Sequence, residues 1–158
     1  MKWRDWLAEW GLDSLKINLK FLEMEWKPKD ADRNAAWDLY IELLTRITTQ
    51  PLPREHGDEE TALKSVYSLF ATTREILHKH GPGCGQFARL AIPVLNQIVR
   101  PFTADWHKRS TAGAFKEPAQ CKLFRKELEV LQAKLLCYTE ALAKMADVED
   151  LSQLERVK

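Results

Sequence analysis

The chain has 158 residues, 45% of them hydrophobic and 30% charged, a balance that suits one globular domain with a real core and excludes a fibrous or disordered chain. Twenty-four Lys and Arg stand against 23 Asp and Glu, a net charge of +1, so no global field draws the chain to nucleic acid or to a membrane surface. Cys84, Cys121 and Cys137 are too few and too scattered for a disulfide framework, no apolar run reaches the ~20 residues of a membrane span, and the N-terminus lacks a cationic segment followed by an apolar one. A cytoplasmic protein is expected.

The opening WRDWLAEW places Trp3, Trp6, Leu7 and Trp10 on one side of a short helix that Gly11 can end. Three indoles there form either an exposed aromatic surface for a partner or a lid on the protein's own core. Leu15 to Trp26 fits two periods: it alternates as a strand, yet Leu15, Leu19, Leu22 and Trp26 also share a helical face. Its Leu, Lys, Glu and Met content favours the helix. The alternative is one short N-terminal strand around 15–26, whose mate would be the same strand of a second copy.

After a break at Pro28, Asp30 or Asp32 is expected to cap a helix running to about Thr49, with Trp37, Tyr40, Leu44 and Ile47 on its buried face. Asp38, Glu42 and Arg46, each four apart, form a stripe suited to ion pairing. Pro51, Pro53 and Gly57 mark a loop, and Asp58 starts a further helix that ends at Gly81, with Leu63, Val66, Tyr67, Phe70 and Leu77 on its core side.

Gln86 to Lys108 is an apolar helical stretch with Pro93 and Pro101 inside it. Its polar residues Arg89, Asn96, Arg100 and His107 fall within about 40° of one another at 100° per residue. A helix apolar over most of its girth is buried on several sides, so this stripe either meets partners inside the protein or lines a site. The internal reading pairs Arg89 or Arg100 with Asp38 or Glu42, and Asn96 with a carbonyl freed by a proline. The other reading is a cleft between helices for a small molecule or anion, where arginine forks are suited to the charge.

A loop through Gly113 and Pro118 leads to Cys121, Phe124, Leu128, Leu131, Leu135, Tyr138, Leu142 and Met145, spaced alternately three and four apart. That heptad seam is either the spine of a bundle or a surface for a second chain. A short tail helix from Asp150 would use Leu151 and Leu154. Long helices joined by Gly and Pro loops predict an all-α fold, an antiparallel bundle of four to five main helices in one domain: arm 1–29, core 30–146 and tail 147–158.

Arg100 and His107, with six residues between them, have the spacing of the arginine–histidine pair of HEPN ribonucleases, and this spacing resembles that family's motif. Arg74 and His80 also match, with five between. The resemblance implies a helical protein of toxin or antiphage type whose pair sits at a dimer interface and cuts RNA. Histidine would move the 2′-hydroxyl proton while the guanidinium holds the phosphate. His78, His80 and Cys84 offer three zinc-compatible donors without a fourth, unless Cys121, Cys137 or His107 supplies it, and no metal or other cofactor is expected. Phosphate loops, nucleophile elbows and paired catalytic carboxylates are absent from the sequence. Lys16, Lys20, Lys27 and Lys29, and later Lys122, Arg125, Lys126 and Lys134, read as solvated faces.

The function expected from these features is that of a non-enzymatic interaction module, self-associating or bound to a protein partner, with Trp3, Trp6, Trp10, Leu128, Leu131 and Leu135 as its surface. Neither a membrane nor, outside the ribonuclease alternative, a nucleic acid is an expected partner.

Overall fold

Helix signals dominate every long segment. A computed structural model describes residues 1–54 and 58–155, and among these no strand occurs, only an isolated antiparallel bridge between Lys2 and Glu25. The helices are α1 (Trp3–Glu9), α2 (Leu19–Leu22), α3 (Asp30–Leu44), α4 (Glu59–Tyr67), α5 (Leu69–His80), α6 (Gly85–Val94), α7 (Arg100–Thr111) and α8 (Pro118–Ala146). Among the described residues, no helix is long and apolar enough to cross a membrane.

Side chains set the helix ends. At the start of α3 the buried Asp32 carboxylate accepts from Lys29 N at 2.8 Å and from Phe87 N at 2.9 Å, tying α3 to α6. Thr48 and Thr49 hydroxyls donate back to Leu43 O, and the Gln50 amide donates to Leu44 O, so α3 stops at Leu44 rather than near Thr49. Asp58 caps α4 by accepting from Thr61 N at 3.0 Å; the hydrogen bonds from Thr61 hold its carboxyl below the usual carboxylate range. Gly81, at φ +67°, takes the left-handed conformation that ends α5. The expected loop residue Gly57 lies outside the described residues.

The long α8 is the spine. Its main neighbour is α3, which also packs on α5 and α6. Phe124, Leu128, Leu131, Leu135, Tyr138, Leu142 and Met145 are all buried in this chain's own core. Leu128, Leu131 and Leu135 are therefore not available as a surface for a second chain, because α3 and its neighbours already fill the holes between them.

The N-terminal arm closes over itself. Trp3 N donates to Met24 O at 2.9 Å and Trp26 N to Met1 O at 2.8 Å. These bonds bring Trp26 flat against Trp6, at 4.9 Å and 20°, while Trp3 meets Trp6 edge-on at 5.5 Å. Trp3 and Trp6 are buried and Trp10 is half-buried, so the expected exposed indole face is corrected to a lid on the core. The segment 15–26 is neither one helix nor a strand paired with a second copy. It forms the four-residue α2 capped by Asn18, then an extended turn whose backbone groups are met by residues 1–3.

The tail departs from expectation as well. Asp147 adopts the left-handed conformation (φ 57°) after α8, and Tyr40 Oη donates to Asp150 at 3.0 Å while accepting from Leu151 N. Backbone committed this way makes a turn, not a helix, at 152–155, and Leu154 stays 75% exposed.

Candidate functional site

The polar stripe lies on a helix that changes pitch. Neither Pro93 nor Pro101 can donate a backbone hydrogen bond, and between them Leu95–Val99 widens into a π-turn in which Arg100 N reaches back to Leu95 O. Arg100 keeps helical angles, φ −59° and ψ −46°, although the proline after it disfavours them. The widened turn supplies the room.

This turn splits the stripe. Arg89 faces the arm, its guanidinium 5.3 Å from the Phe21 ring centre. Arg100 and His107 face α5 and α4. Asn96 Oδ1 accepts from Arg100 Nη2 at 3.1 Å, the Arg100 guanidinium lies 4.7 Å from the Phe70 ring centre, and His107 meets Tyr67 edge-on at 4.9 Å. Tyr67 and Phe70 are themselves 5.5 Å apart. Arg100 and His107 thus share one seam, but each is seated on its own aromatic ring, with two rings between them.

The expected partners of the arginines are engaged elsewhere. Arg46 donates to Glu42 at 2.7 Å, to Thr72 Oγ1 at 3.0 Å and to Ser68 Oγ, bracing α3 against α5. Asp38 binds His80 Nε2 at 2.7 Å and Lys79 at 3.2 Å. Burial pushes the Asp38 carboxyl up, but the hydrogen bonds from His80 and Lys79 outweigh it and hold the group below its ordinary value. Neither Asp38 nor Glu42 pairs with Arg89 or Arg100. His80, the histidine of the second spaced pair, is bound to Asp38 while Arg74 stands exposed. Cys84 is buried with its thiol directed at Gly81 O; burial, then the nearby Asp32, pushes that thiol up. His78, His80 and Cys84 therefore do not converge, and among the described residues no three His, Cys, Asp or Glu side chains come together as a metal would need.

The largest exposed ring lies where the sequence predicts burial. The buried apolar positions of α3 are Ala35, Ala36, Leu39, Tyr40 and Leu43, which leaves Trp37 and Ile41 roughly 130° and 170° away from their centre at about 100° per residue. They are 42% and 38% exposed. Both line a shallow cavity of about 410 Å³ between α3 and α5, with Asp38, Glu42, Glu75 and Lys79 around it. The phase of Ala35, Ala36 and Leu39 carried this information, and the size of Trp37 masked it.

A larger groove, about 1160 Å³, runs between the 49–54 segment and α8 and is bordered by Arg54, Lys122 and Lys126. Comparison with protein-family models, with curated proteins and with solved structures finds no match in any of the three.

Proposed function

We propose that the protein is a non-enzymatic, self-associating interaction module, an antiparallel helical bundle in one domain that docks through the α3–α5 face. The observation that carries this reading is Trp37 with Ile41, one turn apart on α3 and bare beside the groove. Exposed tryptophan is costly in water and is the side chain most enriched at binding hot spots. A second copy suits the face because α5 presents an acid and a base, Glu75 and Lys79, one turn apart on its rim. A two-fold axis through such a face sets Glu75 of each copy against Lys79 of the other. Sedimentation velocity across a concentration series tests it: a reversible dimer is expected, and Trp37→Ala with Ile41→Ala should give a folded monomer. A wild-type protein that stays monomeric at all concentrations removes the reading.

A second reading rests on the shared seam of Arg100 and His107, where Arg100 is exposed beside the exposed Tyr67. In it the seam cleaves RNA, with Arg100 on the phosphate and His107 as general acid and base. Their separate ring contacts favour the non-enzymatic reading. RNA incubated with wild type, Arg100→Ala and His107→Ala should remain intact in all three reactions; cleavage by the wild type alone would reverse the ranking.

A further inference from the structure

We propose that the groove between the 49–54 segment and α8 is a binding site for a single aliphatic chain carrying an anionic head, a carboxylate or a phosphate. It shares no lining residue with the α3–α5 face.

The groove is held open by two side chains of α8. Arg125 donates to Glu59 at 2.9 Å and to Pro53 O at 3.0 Å, and Gln132 donates to Ile47 O at 2.6 Å and Gln50 O at 2.8 Å. These bonds fix the facing wall at both ends, so the site does not have to be ordered by its ligand. They also engage the carbonyls of Ile47, Gln50 and Pro53, which leaves fewer acceptors on that wall for a ligand's donors. A hydrocarbon chain has no donor or acceptor to satisfy there, whereas a peptide brings one of each per residue.

Cations collect at one end of the groove. Lys122, Lys126 and Arg54 stand at the end nearer the start of α8 and have no ion-pair partner among the described residues, whereas Pro51, Ala133 and Leu136 give the rest its apolar surface, with Thr49 and Gln132 among them. Glu129, the one acid of the lining, lies beyond Lys126. From Lys122 to Leu136 the helix rises roughly 21 Å, enough for an acyl chain that spans half a bilayer core, ~15 Å. Among the described residues no aromatic ring lines the groove, so none of them offers a nucleobase a ring to stack on. Head and body together point to an anionic amphiphile.

Titration calorimetry of the whole protein below micellar concentrations, with alkanoates and alkyl phosphates of eight, ten and twelve carbons, tests this. Affinity should rise about fourfold per added buried methylene, inorganic phosphate alone should bind far more weakly, and comparison of the two head groups identifies the preferred one. Ala133→Trp, at an exposed position, should fill the groove and abolish binding without changing the thermal midpoint, and Lys122→Ala with Lys126→Ala should weaken it about tenfold. No binding, affinity independent of chain length, or undiminished binding by Ala133→Trp would overturn the proposal. Sedimentation of Ala133→Trp should match wild type, which keeps this outcome separate from the self-association reading.

Discussion

Trp6 and Trp37 are the same side chain on helices of one protein, yet Trp6 is sealed between Trp3 and Trp26 while Trp37 stands over an open groove. What separates them is a returning segment. After α2 the chain passes back across α1 and is pinned there by backbone bonds between residues 1–3 and 24–26, so a second indole covers the first. Among the described residues nothing returns across Trp37 in that way. The nearest covering of α3, the tail, is held one turn further on by Tyr40. Burial of a large apolar side chain is thus decided by what the chain brings back to it, not by its own helix alone.

The strongest way to break this comparison is to empty the sealed side. Trp6→Ala should cost about 3–5 kcal/mol, read as a fall in the midpoint of denaturant unfolding, and Leu135→Asp on α8 should abolish folding, because an unpaired carboxylate would replace a fully buried side chain. Trp37→Ala, by contrast, should move stability by no more than about 0.5 kcal/mol while abolishing self-association. An equal loss of stability at both tryptophans would remove the distinction.

Smaller effects sharpen the floor of the open side. Arg46→Met keeps the aliphatic stem but deletes the bonds to Glu42, Ser68 and Thr72; it should cost about 1–2 kcal/mol and loosen the association through the groove it braces. Asp38→Asn should have the smallest effect and a pH signature. Because the folded Asp38 carboxyl lies below its ordinary value, its stabilisation is present above the unfolded value of ~3.9 and is lost as pH falls through the folded one. Thermal midpoints of variant and wild type should therefore differ at neutral pH and converge in acid.

The helices were legible because their signals are local. Asp58 and Gly81 begin and end their segment as expected and the heptad from Cys121 forms one helix, although the single helix expected between Asp58 and Gly81 is divided at Ser68 into α4 and α5. Long-range decisions were not legible. Whether the heptad meets α3 or a second chain depends on complementary surfaces far apart in sequence, and whether 15–26 is a strand depends on residues 1–3. Straight-helix geometry could not anticipate the π-turn, after which Arg100 and His107 meet Phe70 and Tyr67 while Arg89 meets Phe21. Lys122 and Lys126 are exposed, as a solvated face requires, and only the fold shows that the segment 49–54 stands opposite them.

The wide turn between Pro93 and Pro101 also acts as an angular setting. Adding or removing one residue within Leu95–Val99 would rotate every later side chain by about 100° relative to α6 and shift it by about 1.5 Å. Arg100 and His107 would then leave the rings of Phe70 and Tyr67 together, while Arg89 stayed against Phe21. The length of this one turn, more than the chemistry of any side chain in it, selects which face of α7 the rest of the protein meets.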